Sequence, residues 1–287
     1  MRKQWTVGVS TQAGSFHPQQ IDSIRLLPAL GARDFLADPF LVPGSGGRVL
    51  LCEWLQARRA KGVIARIELD ARGSIADLTV VIDSDRCHLS YPYTLRHEGK
   101  LYCCPEAARS RQVVLYGLSD DARRVADSTV LLDGFPGLDP SLFEHEGRWW
   151  LLCTSADNGH ALSHLYAFHA PRLHGPWTAH TGNPIVNDAA RARPAGNVFQ
   201  HDGELFRPGQ DCSQSYGAAI RISRIVKLTP ESYVEAPVWT ISPPASPLGR
   251  DGVHTLSLDA GHFAVDAYTN VYDPLAWLQR ARHRLYR

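Results

Sequence analysis

YPYTLRHEGKLYCCPEA (residues 91–107) and DPSLFEHEGRWWLLCTS (residues 139–155) follow one plan. Each has proline in second place, runs through a short apolar stretch, turns at His-Glu-Gly and returns as a second apolar stretch. The pattern extends in both directions. DPFLVPGSGGRVLLCEW (38–54) precedes it, RPAGNVFQHDGELFRPGQD (193–211) follows, and VHTLSLDAGHFAVDAYT (253–269) is a weaker fifth copy without the proline. The turns at 97–99, 145–147, 201–203 and 259–261 end on the glycine that a tight hairpin loop needs at positive φ. Every copy therefore opens with a β-hairpin. Strand-like stretches at 62–69, 113–118, 164–170 and 218–228 follow the hairpins and supply the outer strands of four-stranded units. A repeat of about 50 residues built this way is the signature of a β-propeller.

The fold class is accordingly all-β: a single five-bladed β-propeller over residues 1–287, with blades opening near Asp38, Tyr91, Asp139, Arg193 and Val253. Residues 4–10, QWTVGVS, form a strand without a hairpin of its own, so this N-terminal strand is expected to close the last blade. Such closure removes an exposed sheet edge. Helical periodicity is nearly absent. One short C-terminal helix is expected over residues 274–285, with Asp273 as N-cap and Pro274 at its first position.

Composition excludes several classes. Thirty Lys and Arg face 29 Asp and Glu, and the arginines are scattered apart from a cluster at 280–287, so no nucleic-acid partner is expected. No segment approaches the length of a membrane span, the N-terminus lacks the apolar core of a signal peptide, and the cytoplasm is the expected compartment. The six cysteines show no C-x-x-C spacing and read as small buried hydrophobes. Neither a P-loop nor a dinucleotide fingerprint occurs.

In a propeller the innermost strands line one channel, so equivalent positions converge. Those positions hold Asp38, Ser90 with Tyr91, Asp139, Arg193 and His254. An antiparallel partner returns to the same level, which brings Glu53, Glu106, Thr154 with Ser155, Gln210 with Asp211, and Asp266 to the same mouth. One Asp-Pro pair is merely a common turn initiator. Five convergent polar positions form a cluster that is costly to desolvate without a ligand, ion or water. Residues 192–217 add Asn197, Arg207 and Tyr216; the arginines suit a carboxylate, phosphate or vicinal hydroxyls, or else pair with Asp38 or Asp211. Trp54, Tyr91 and Tyr216 are the aromatics best placed to stack on a sugar. No cofactor is expected, although His254 could take a channel cation, as carboxylate and imidazole ligands are at hand.

This plan resembles the propellers of glycoside hydrolase family 43 and its arabinanase, levansucrase and invertase relatives. ADPFLV (37–42), HLSYPY (88–93), Pro105-Glu106, NPIVNDAARARPAGNVF (183–199) and RPGQDCSQSYG (207–217) are similar, more narrowly, to the N-terminal propeller-like domain of glucosamine inositolphosphorylceramide transferases and its bacterial stand-alone relatives. The first resemblance implies Asp38 as base and Asp139 as pKa modulator. It departs at blade four, where those enzymes carry Glu-Gly-Pro as the acid's motif and this chain has Arg193-Pro194-Ala195. Glu106 or Asp211 could take the acid's place.

The expected function is that of a carbohydrate-active enzyme, hydrolase or transglycosylase, acting on a sugar in the central funnel. A non-catalytic glycan-binding propeller is the alternative, favoured by the missing acid; transfer or cyclisation on an anionic sugar or sugar phosphate is a third. In the catalytic reading Asp38 is an ionised base or nucleophile kept at low pKa beside Arg193. Glu106, in a drier aromatic rim, is the proton donor.

Overall fold

The chain is described from a computed structural model covering residues 1–274, apart from 12, 15, 17–20, 22 and 32. All of the helix expected at 274–285 beyond Pro274 lies outside the described residues. Among the described residues, twenty-one strands form five sheets arranged as blades. Blade one comprises β3 (Phe35–Leu41), β4 (Val49–Gln56), β5 (Lys61–Leu69) and β6 (Ile75–Ile82). Blade two holds β7 (Ser90–His97), β8 (Lys100–Glu106), β9 (Gln112–Leu118) and β10 (Val125–Asp133). Blade three holds β11 (Gly137–His145), β12 (Arg148–Ser155) and β13 (His164–Ala170), against which β14 (Thr178–Ala179) and β15 (Val186–Asn187) both pair. Blade four holds β16 (Phe199–His201), β17 (Glu204–Asp211), β18 (Ala219–Thr229) and β19 (Ser232–Ile241).

Blade five joins the two ends of the chain. Its order is β2 (Ile24–Leu26), β1 (Arg2–Ser10), β21 (His262–Val271) and β20 (Leu256–Asp259), so the N-terminal strand completes the last blade as its sequence implied. The β1–β21 ladder runs antiparallel from Arg2↔Val271 to Val9↔Ala264. The expected hairpin chemistry is present. Glu98-Gly99, Glu146-Gly147, Asp202-Gly203 and Ala260-Gly261 all have positive φ at both residues, the signature of a type I′ loop.

The apolar core is divided among the blade interfaces. Leu51 and Ile64 meet Leu101 and Cys103 between blades one and two, and Tyr93 and Leu115 meet Leu142 and Leu151 between two and three. Leu152 meets Leu205, Ile222 meets Leu256, and Val7 meets Leu50 at the remaining three. Most of the hairpin aromatics, Trp149, Trp150 and Phe206 among them, are consumed here. All six cysteines are buried and free, in keeping with use as small hydrophobes.

One device repeats where three inner strands reach the axis. Asp38, Tyr91 and Asp139, each followed by proline, stand at φ of 50°, 45° and 51°. The ladder skips there: Ala37↔Glu53 is followed by Phe40↔Leu51, Ser90↔Glu106 by Tyr93↔Cys104, and Leu138↔Thr154 by Ser141↔Leu152. Two residues oppose one, which defines a β-bulge and turns a backbone N–H out of the ladder. A buried N–H must find another acceptor. In every case it is a carboxylate of the preceding blade. The Asp38 N–H donates to Asp266 Oδ2 at 2.8 Å, Tyr91 N–H to Asp38 Oδ2 at 3.2 Å, and Asp139 N–H to Glu106 Oε2 at 3.3 Å.

Blade four breaks the pattern. Around Arg193 a single bridge, Pro194↔Gly209, replaces the ladder, and the inner strand β16 is three residues long. Gly196 lies so close to blade five that a Cβ there would stand 1.7 Å from the Leu256 carbonyl oxygen. The freed backbone zips onto that blade instead, with Leu256 N–H donating to Ala195 O at 2.7 Å.

Candidate functional site

The bulges and the blade-four break surround a cavity of about 420 Å³ at the axis. Asp38, Glu53, His88, Ser90, Glu106, Arg193, Tyr216 and His254 are eight of its polar lining residues, Arg2, Lys3 and Asn270 are the others, and Trp5, Phe35 and Leu55 stand along one wall. Seven of these eight polar residues, all but His88, are among those the sequence brings to the mouth.

Arg193 organises one side. Its Nε donates to Asp139 Oδ2 at 2.6 Å and its Nη2 to Asp139 Oδ1 at 3.2 Å, a fork on a single carboxylate. The same Nη2 reaches Glu106 Oε2 at 3.0 Å. Burial works against the charge of this guanidinium, but Asp139, Tyr216 and Glu106 outweigh it and hold its pKa well above the ordinary arginine value. Gln210 donates to Asp139 Oδ2 at 2.7 Å and to Pro194 O at 2.9 Å. Asp139 is thus a buried anchor behind Arg193 and not part of the cavity wall.

Asp38 and His254 form the other side. Asp38 is 5% exposed; Thr255 Oγ1 donates to its Oδ1 at 2.7 Å, and His254 Nε2 lies 3.7 Å from the same oxygen. Burial, reinforced by Asp266, Glu53 and Asp139 and opposed by His254, pushes the Asp38 carboxyl up to about 7. The expectation of a low pKa beside Arg193 is therefore overturned: the guanidinium is spent on Asp139 and Glu106. His254 stacks on Trp5 with centroids 3.9 Å apart, and its Nδ1 lies 2.6 Å from Asp266 Oδ2. Burial alone would lower the imidazole pKa, but Asp266 and Asp38 raise it.

Asp38, His254 and Asp266 bring one ligand atom each within 4.8 Å of one another. The set does not fit a preformed metal shell. Asp266 already accepts from the backbone N–H groups of Asp38, His254 and Thr255 and lies against His254 Nδ1, so its lone pairs are taken. Its role is to tie blade five to blade one.

The structure withdraws five further candidates from the cavity wall. The Tyr91 ring is fully buried between blades, its hydroxyl bonded to Ser141 Oγ at 2.9 Å and accepting from Gly196 N–H at 2.6 Å. Trp54 donates to Asp34 Oδ2 at 3.2 Å and packs against the interface of blades five and one. Arg207 is 1% exposed and forks onto Glu235 at 2.8 and 2.9 Å, far from the Asp38 or Asp211 pairing considered from sequence. Asp211 is gripped by Arg221 and Ser213, which overcome burial and hold its carboxyl below the usual range; a proton donor needs the opposite. Asn197 Oδ1 accepts the Leu258 N–H at 3.1 Å and so holds blade four to blade five. Asn197→Ala should leave that N–H unpaired and lower stability by about 1–3 kcal/mol with sugar affinity unchanged, measurable by urea unfolding beside titration calorimetry.

Glu106 accepts from both Arg193 and the Asp139 N–H on Oε2. This is the geometry of an acceptor, which argues against its assignment as proton donor. Sequence reasoning missed Trp5, Thr255 and His88. The signal for His88 stood in HLSYPY, two residues before a blade opening; Trp5 and Thr255 carried none.

With the site in view, comparison with known proteins is informative. The family profile described as "Glucosamine inositolphosphorylceramide transferase 1, N-terminal" matches residues 27–274. The chain belongs to that family. It is 31% identical over 210 residues to glucosamine inositolphosphorylceramide transferase 1 of Oryza sativa subsp. japonica and 32% identical over 210 residues to that of Arabidopsis thaliana. Each match covers 71% of this chain but 28% and 27% of those proteins, so the chain spans less than a third of its curated relatives. Among solved structures it is similar to an α-L-arabinanase of Cellvibrio cellulosa (TM-score 0.55, 13% identity, 70% of this chain and 77% of that one). An exo-β-1,3-galactanase of Clostridium thermocellum is comparable (TM-score 0.52, 14% identity, 70% and 47%). At such identity the likeness is one of fold, and it matches the propeller read from the repeats. No helix among the described residues is long and apolar enough to cross a membrane.

Proposed function

We propose that the funnel binds the sugar of a glycoconjugate and that Asp38 moves a proton in hydrolysis or transfer at its glycosidic bond. One observation carries this reading: a carboxyl at the cavity wall whose pKa is pushed up to about 7, first by burial and then by neighbouring acids. A group that changes charge near neutrality can serve as base once ionised. The relatives are named glucosamine inositolphosphorylceramide transferases and the fold neighbours a galactanase and an arabinanase, which agrees with a sugar ligand.

Arg193 supports a second reading. It stands where family 43 propellers carry their acid, and it ties up Asp139 and Glu106. A propeller that binds a glycan without cleaving it would have that arrangement. Arg193 and Arg207 do not favour the anionic-sugar reading, since both already hold carboxylates.

A panel of aryl glycosides and oligosaccharides, assayed for turnover and binding from pH 5 to 9, separates the two. As base, Asp38 is active when ionised, so kcat should rise with pH through about 7. Tight binding without turnover at any pH would hand the site to the non-catalytic reading.

A further inference from the structure

Glu53 sits on β4 opposite Ala37, one residue from Asp38 across the ladder, and lines the same cavity. Its carboxylate is treated unlike every other at the axis. Asp139 and Glu106 are held by Arg193, and Asp266 by backbone N–H groups and His254. Glu53 meets no arginine and no backbone N–H among the described residues; its partner is His88 Nε2, 3.2 Å from Oε1.

The orientation of His88 is fixed from behind. The Gly62 N–H donates to His88 Nδ1 at 2.9 Å, so Nδ1 is an acceptor and the ring hydrogen sits on Nε2, the nitrogen nearer Glu53. Both side chains are buried, at 8% and 9%. The assembly needs a glycine at 62. A Cβ there would lie 2.6 Å from His88 Cε1, 2.6 Å from Leu89 O and 2.8 Å from Glu53 Oε1. Gly62 on β5 and His88 just before β7 thus close around one carboxylate oxygen, while the other oxygen receives no hydrogen bond from the described residues.

We propose that Glu53 is a second ligand-contacting carboxylate beside Asp38, accepting a hydroxyl of the bound sugar, and that His88 is its positioning residue. The inference rests on the funnel being the sugar site. Its electrostatic consequence is that Glu53, with Asp266 and Asp139, raises the Asp38 carboxyl while His254 lowers it. Tyr91 N–H and Thr255 Oγ1, also on Asp38, are uncharged donors that stay in place when Glu53 is changed.

The test compares Glu53→Gln, His88→Leu and His88→Gln for KM, kcat and the pH profile, on whichever glycoside of the panel the wild type turns over. Losing a charged acceptor to a sugar hydroxyl should raise KM about 10- to 100-fold in Glu53→Gln. The acidic limb of kcat should also move to lower pH, because a like charge beside Asp38 is gone. His88→Leu should raise KM in the same way but leave the limb near its wild-type place, because the Glu53 charge remains, and the KM of His88→Gln, which retains an N–H donor, should fall between it and the wild type. A merely structural pair would lower thermal stability without raising KM. If Glu53→Gln leaves KM in place, the inference is wrong even though the enzyme works and whether or not the limb moves. If the wild type binds sugar but never turns it over, the catalytic reading fails instead, and an unchanged Kd in Glu53→Gln would overturn this inference separately.

Discussion

Asp38→Asn is expected to lower turnover by about 10²- to 10⁴-fold, the contribution typical of one acid–base group, while the propeller stays folded. The side chain can be replaced without orphaning its neighbours. An asparagine Oδ1 can accept the Tyr91 N–H, and its amide can donate to Thr255 Oγ1, whose hydroxyl rotates to suit. The variant should also flatten a pH dependence of stability. An acid whose pKa rises from 3.8 to about 7 on folding binds its proton more tightly in the native state. The stability it confers is therefore fully present below about pH 4 and is lost as pH rises through about 7. His254, whose pKa is also raised, acts in the same direction: its contribution is present below 6.5 and fades above its folded value. Wild type should thus lose thermal stability relative to Asp38→Asn between pH 4 and 8, as differential scanning calorimetry would show. A constant difference across that range, or undiminished turnover of a verified glycoside, would refute the role given to Asp38.

The fold was legible because its signals are local. Glycine at positive φ in four near-identical turns, proline next to three bulges and a strand left over at the N-terminus are each readable from a few residues. They agree with one another, and agreement across levels is what makes a sequence specify a fold. Convergence on the axis followed from hairpin register alone, which is why Glu53, Glu106 and Asp266 were found from the return strands.

Partnership was harder to read. Whether an arginine faces ligand or carboxylate depends on which blade lies next to it, and Arg207 found Glu235 on the outer strand of its own blade, 28 residues away. The sequence also gives no sign that a carboxylate at the axis answers the N–H of the next blade's bulge. That duty explains much of the acidic ring without a ligand: Asp266 and Glu106 each serve a neighbour's backbone, so their clustering is partly architecture. The carboxylates left for ligand chemistry are Asp38, which has one neutral N–H and one hydroxyl upon it, and Glu53.

Arg193→Met should cost about 3–5 kcal/mol of stability, the price of stranding a buried ion-pair partner, and more than any other single change at the funnel. The guanidinium is 8% exposed and neutralises two carboxylates at once, Asp139 through the fork and Glu106 through Nη2. Methionine fills much of the volume and supplies no donor, so the pair Asp139 and Glu106 would face each other in a water-poor interior. The penalty belongs to the charged forms, and urea midpoints should recover as the pH is lowered and the carboxylates take up protons. Arg193→Lys retains the charge but cannot span both partners with one planar fork, so it should fall between the two. Arg207→Met supplies the control: it breaks a buried pair of the same kind with Glu235 outside the funnel, and should destabilise comparably while sugar affinity is retained. Loss of affinity in Arg193→Met at a temperature where the variant is folded would tie the clamp to the site. Unchanged stability at pH 7 would mean that the Asp139–Arg193–Glu106 cluster is not held together as the geometry requires.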